Sequence, residues 1–198
     1  VLRAEREAAQ CAPGVAPESS HARHMPAHVF VQLGMWPEAI ASDEAASAAA
    51  DAKGPRDGLP VTAQDFHPLS WLVYEYLQAG RVDEARRTVE KLRTPAHATK
   101  DPRLLSLLAT LRTRVAVEAG AWSDLAGPDF VNYDELFGVA FSAAQRGKTP
   151  LAERGRMRLA EMATQPRYAE RRVLLEIMAL QVGAVLRARS GDMDGALA

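Results

Sequence analysis

The sequence predicts an all-α fold, an α-solenoid of antiparallel helix pairs. Three observations predict it. Alanine dominates an apolar set that makes up 47% of the 198 residues, and β-branched runs are scarce, a composition that favours helix. A turn signature recurs, in which an apolar helix is followed by glycine, a bulky residue, and a small or apolar residue five places after the glycine. Helix-start signals, Pro37, Pro150 and the pair Asp101-Pro102, stand where the next helix of each pair should open.

Taken in order, the predicted helices span about 1–11, 21–34, 37–51, 67–79, 83–93, 102–119, 133–146, 150–164, 168–190 and 192 onward. Ser19-Ser20 cap the second of these, and Pro26 inside it predicts a kink, because its ring removes one helix hydrogen bond. Gly34 ends it in the left-handed conformation and Pro37 opens its partner. The run DAKGPRDGLPVTAQD, 52–66, is read as a loop, as is 123–132. Gly80 (AGRVDEA), Gly120 (AGAWSDL), Gly147 (RGKTPLA) and Gly191 (SGDMDGA) repeat the device of Gly34 (LGMWPEA). In each copy the bulky residue packs the second helix on the first, and the small one lets the backbones approach.

The five glycines are 46, 40, 27 and 44 residues apart. A tetratricopeptide repeat is about 34 residues long, and the chain resembles a degenerate, interrupted tetratricopeptide-repeat array, with copies at about 20–50, 67–93, 102–126, 133–164 and 168–198. More narrowly, HARHMPAHVFVQLGMWPEAI followed by FHPLSWLVYEYLQAGR is similar to a group of bacterial tetratricopeptide-like proteins. Those carry an H-x-x-H-M-P-[SA]-H run and a later histidine before an LVYxYLQ-type helix. The resemblance implies a single superhelical segment over 1–198, whose first helix in each pair lines a concave groove.

Three of the five histidines, His21, His24 and His28, fall within eight residues. Spacings of three and four put them on one helical face, within an arc of roughly 60°. His21 lies 13 residues before Gly34, and His67 lies 13 before Gly80. Positions at such distances face the groove by the resemblance, and stacked neighbours would bring His67 beside the first three. The same count places Ser70 and Tyr74 in the lining, then Leu107, Thr110 and Arg114, then Asp134, Phe137 and Phe141, then Met178, Gln181 and Val185. The candidate ligand-binding residues are therefore His21, His24, His28, His67, Tyr74, Arg114 and Phe141. The groove would be imidazole-rich at one end and aromatic further along, which suits a charged head on an apolar body.

Two readings stay open. In the first, the chain is a binding scaffold whose groove takes a peptide, a protein segment or a small polar ligand, and it is not an enzyme. In the second it is a metal-dependent enzyme or sensor in which His24, His28 and His67 hold Zn, Fe or Cu with an open position. Histidines seven apart on a straight helix are more than about 10 Å apart, which makes this trio preferable to the three of one helix. Asp65, Glu75 or Asp134 would supply an oxygen ligand, and Asp65 or Glu75 a base. No HExxH run, phosphate loop or nucleophile elbow is present.

The remaining features read as structure. The arginines of 154–172 alternate with Glu153, Glu161 and Glu170, as on a solvated ion-paired face. Trp36, Trp71 and Trp122 read as interhelical packing, Ser70 as packing, and Cys11 as an inert thiol with no disulfide partner. A net charge of −1 gives no pull toward nucleic acid. No apolar run is long enough to span a membrane, so a soluble protein of cytoplasm or periplasm is expected. The chain opens inside one helix pattern and closes at the start of another. A segment of a longer protein is therefore expected, with uncapped ends that favour self-association.

Overall fold

The computed structural model describes residue 16, residues 18–125 and residues 132–197. The helix expected over 1–11, Cys11 and most of the loop expected over 123–132 lie outside the described residues. All regular structure among the described residues is helical. The chain divides into two compact units, residues 1–104 and 105–198.

The first unit contains α1 (Ser20–Gln32), α2 (Trp36–Asp57), α3 (His67–Gln78) and α4 (Val82–Thr99), with a 3-10 turn at Val61–Ala63. Consecutive helices pack on one another, and α1 also touches α3 across the start of α2. Ser19 caps α1, its Oγ accepting from Ala22 N at 3.2 Å, and the helix runs through Pro26 as expected. Near the turn that Pro26 loosens, the Ser42 hydroxyl of α2 donates to Arg23 O at 2.5 Å. The core of this unit is Ala27, Phe30, Ala39, Ala46, Leu72, Val73, Ala85 and Leu92, each at most 5% exposed.

The second unit holds α5 (Pro102–Glu118), which begins at the division, then α6 (Tyr133–Gln145), α7 (Thr149–Ala163), α8 (Arg172–Ser190) and α9 (Met193–Leu197). Helices α6, α7 and α8 pack mutually around Leu136, Leu159, Leu175 and Val182, and α9 packs on α8. Asn132 caps α6 with its side-chain oxygen and donates from Nδ2 to Ser106 O, 2.9 Å, and to Thr110 Oγ1, 3.0 Å, tying α6 to α5. Three arginines of α7 and α8 are ion-paired, Arg156 to Glu153 and Arg158 to Glu161 at 2.7 Å, and Arg172 to Glu176 at 2.9 Å. The face of α8 bearing Val173, Ile177 and Leu180 is exposed.

The turn signature folds the same way five times. Gly34, Gly80, Gly120, Gly147 and Gly191 all take positive φ, between 65° and 89°. After each, one amide reaches back five residues: Met35 to Phe30 O, Arg81 to Tyr76 O, Ala121 to Ala116 O, Lys148 to Ala143 O and Asp192 to Arg187 O. That is the closing bond of a Schellman turn. Five places after the first, second and fourth glycines, Ala39, Ala85 and Ala152 are fully buried. The third copy is stunted, since only a 3-10 turn, Trp122–Asp124, follows Gly120 before Leu125 is buried.

Three boundaries differ from expectation. Helix α2 continues to Asp57 through Gly54-Pro55, and α4 continues to Thr99 through Pro95. A proline near the end of an alanine-rich helix removes one hydrogen bond without unwinding a turn that packing already holds, and Ala96 beside Pro95 is fully buried. The segment expected as one helix from 168 instead begins as a 3-10 turn, Pro166–Arg171, broken at Tyr168 (φ −110°, ψ 15°) before α8.

Two glycines separate backbone from packing requirements. A Cβ at Gly80 meets nothing within 4 Å, whereas one at Gly155 of α7 falls on Ala140 Cβ of α6. Gly80→Ala is expected to lower stability by about 1 kcal/mol, the cost of the left-handed backbone alone. Gly155→Ala is expected to cost more, about 2–3 kcal/mol, through overpacking. Urea denaturation followed by circular dichroism checks both, and equal losses would contradict the packing account.

Candidate functional site

The site lies in the first unit, where α1, α2 and α3 meet. His24 and His28 project from consecutive turns of α1, and His67 is the first residue of α3. The start of α3 is set by Asp65, whose carboxylate accepts from His67 N at 3.0 Å, and by Pro68 in the first turn. Ser20 Oγ of α1 lies 3.5 Å from the other oxygen of Asp65 and draws the two helix starts together.

The three imidazoles converge. Ring centroids are 4.5 Å apart for His24 and His28, 4.7 Å for His24 and His67, and 6.4 Å for His28 and His67. One ring nitrogen from each lies within 4.8 Å of the others. His24 is 1% exposed, His28 is half-buried and His67 is exposed, so the cluster is closed at its base and open on one side.

Behind His24 stands a feature that the histidine spacing does not announce. Its Nδ1 lies 2.6 Å from Asp43 Oδ1 of α2, and Asp43 is fully buried. The carboxyl of Glu75 from α3, also fully buried, faces Asp43. Among the described residues neither Asp43 Oδ2 nor either oxygen of Glu75 meets a donor, so a hydrogen bond between the two carboxyls requires a proton on one of them. Burial raises both groups, Glu75 to about 9 and Asp43 to about 8, and the neighbouring carboxyl raises Glu75 further. His24 Nε2 is buried and has no hydrogen-bond partner among the described residues.

Burial lowers the pKa of all three imidazoles. For His28 and His67 the neighbouring imidazoles add to it, while Asp65 opposes it at His24 and His67. All three rings are therefore neutral at neutral pH, the state in which imidazole nitrogen accepts a hydrogen bond or binds a metal. Trp71, one turn after His67, closes one flank with its ring 4.8 Å from that of His28, edge to face. Tyr74 stands 6.1 Å from Trp71, and Trp36 at the start of α2 stands 6.1 Å from Tyr74.

His21 is exposed at the first turn of α1, at the rim of the cluster. Glu75, expected as an oxygen ligand or base, is instead sealed behind Asp43 because it belongs to the buried stripe of α3 with Leu72, Val73 and Tyr76. Asp65 is held by His67 N and Ser20. Arg114, Asp134 and Phe141 belong to the second unit, where Asp134 accepts from Thr110 at 2.9 Å and Phe141 packs 5.7 Å from Trp122. Sequence reasoning passed over Asp43 and read Trp71 as packing alone. The signal for Asp43 was present, since it interrupts the stripe Ala39, Ile40, Ala46, Ala50 on the buried face of α2. Comparison with family models, with curated proteins and with solved structures returned no match.

The carboxyl pair links stability to pH. Both groups keep their protons to higher pH in the fold than in the unfolded chain, so their contribution is present at low pH and lost as pH rises toward 8 and 9. The imidazoles act in the opposite sense and matter only as pH falls through about 6.5. Metal-free protein is therefore expected to lose about 1–3 kcal/mol between pH 7 and pH 9. Glu75→Gln keeps a donor toward Asp43 without a titrating proton, and it should flatten that decline and melt higher than the parent at pH 9. Thermal melts across that range check it, and an unchanged slope in the variant would oppose it.

Proposed function

We propose that the first unit is a transition-metal-binding module, with His24, His28 and His67 as ligands and Asp43 as the residue that orients His24. The observation that carries this reading is the state of His24. Its Nδ1 is fixed on a buried carboxyl while Nε2 is left buried and without a partner among the described residues, in a ring packed against two more neutral imidazoles. A buried polar atom left unsatisfied costs about 1–3 kcal/mol. A metal ion at Nε2 removes that cost, and it selects the tautomer in which Nδ1–H donates to Asp43. Carboxylate–histidine–metal arrays are the usual means of setting ring orientation and basicity.

Three nitrogen donors with one open side fit Zn, Fe or Cu better than the oxygen-seeking Mg or Ca. At a metal–nitrogen distance of 2.0–2.1 Å a tetrahedral centre holds its ligand atoms about 3.4 Å apart. Closing from 4.8 Å asks small rotations of His28 and His67, the two rings that are not locked. A hydrogen-bonding groove for a polar ligand would use the same exposed rings, but it gives no reason for the buried, partnerless Nε2. Only the metal reading uses every member of the cluster.

Protein purified without a polyhistidine tag is expected to hold about one transition-metal ion per chain by elemental analysis. Its melting temperature should rise with added Zn2+, by the equivalent of about 2.7 kcal/mol at a hundredfold excess over Kd. His24→Ala combined with His28→Ala should abolish both effects. Asp43→Asn should weaken metal affinity about 10–100-fold with the helical content retained. Folded protein that takes up no metal under these conditions would overturn the reading.

A further inference from the structure

The proposed metal site is incomplete on one side, and the residues on that side have their own chemistry. Three neutral ligands leave the ion's double charge uncompensated in its own coordination shell, and Asp43 lies only behind His24. The open side faces away from buried His24, between exposed His67 and half-buried His28. An anion at that position is the electrostatic complement of the centre.

What lies next to the open position is aromatic. Along the face of α3 that begins with His67 come Trp71 and Tyr74, at four and seven residues, which is about 10 Å of helix. Trp36 of α2 extends the same row. Contacts run 4.8 Å from His28 to Trp71, then 6.1 Å to Tyr74 and 6.1 Å to Trp36, each close to perpendicular, with interplanar angles of 77° to 88°. All three rings are half-exposed, so the row is a wall and not a sealed core. Edge-to-face packing presents alternating ring faces and edges, which pair well with another aromatic ring. Asp65, the acidic group near the cluster, lies before His67 in the chain, whereas the row follows it, so an anion's body extends away from Asp65.

Resting on the metal reading above, we propose that the open coordination position binds the carboxylate of an aromatic acid, whose ring lies along Trp71, Tyr74 and Trp36. A short alkyl chain joins the carboxylate to the ring, since the aromatic row starts one helical turn after His67. The class is therefore an arylalkanoate, with 3-phenylpropanoate as the simplest member. The carboxylate oxygen takes the metal's free position, displacing water, and the ring supplies discrimination against short aliphatic acids.

The test uses the whole chain loaded with Co2+, a metal that occupies zinc-type nitrogen sites and reports its coordination through visible absorption. Acetate and 3-phenylpropanoate are titrated separately, following the cobalt bands and tryptophan fluorescence. The expected result is a band shift with both, at concentrations at least tenfold lower for 3-phenylpropanoate. In Tyr74→Ala and in Trp36→Ala, two substitutions remote from the metal, the preference should fall below about threefold while Co2+ affinity is kept. Two variants guard against one that fails to fold, and circular dichroism identifies it. A histidine-dependent cobalt spectrum that responds equally to both acids, or a preference that survives both substitutions, overturns the proposal and leaves the metal reading standing. Absence of any histidine-dependent cobalt spectrum overturns both.

Discussion

The contact on which the first unit's chemistry depends is the 2.6 Å bond between His24 and Asp43 in the interior of the α1–α2 hairpin. Two polar side chains, 1% and 0% exposed, sit where the surrounding positions are alanine, phenylalanine and leucine. Such a pair is costly to bury, and replacement by well-packed apolar residues is often neutral or stabilising. Its presence is therefore poorly explained by stability. It does something that packing cannot, which is to hold one imidazole in one orientation with its second nitrogen left unpaired. Glu75 completes the support from α3, so that three helices are joined through a chain of carboxyl, carboxyl and imidazole.

The scaffold around that chain is made of repeated local decisions. Each hairpin turn uses a glycine with positive φ, the same back-reaching amide and, in three of the five, a fully buried alanine where the second helix crosses the first. Close crossing is what brings the α2 side chain at position 43 within hydrogen-bond reach of α1. The loosened turn at Pro26 adds a second tie, since Ser42, the neighbour of Asp43, donates to Arg23 O, next to His24. The two adjacent residues of α2 thus fix the backbone and the side chain of the same short stretch of α1.

The electrostatic state of the site follows from the same closeness. Imidazoles crowded against one another and removed from water stay neutral, and carboxyls crowded together keep protons that isolated ones would lose. Neutral imidazoles on one side and a proton-bearing acid pair on the other thus follow from one packing arrangement.

Much of this could be read from residues in order. The five turns were legible because a glycine conformation and a capping bond are local, set by residues within one helical turn of each other. The shared face of His24 and His28 was legible because helical periodicity is local too, and the equal distance of His21 and His67 from their glycines pointed to neighbouring hairpins. Asp43 could not be assigned to His24 in this way, because nineteen residues and a turn separate them and their meeting depends on the crossing of α1 and α2. Glu75 shows the converse. Its residue type suggested a base, but the stripe it occupies on α3 faces inward, and burial against Asp43 makes it a support. Sequence order sets which way each side chain leaves its own helix; helix packing sets which side chains meet, and that second step governs protonation, orientation and access at this site.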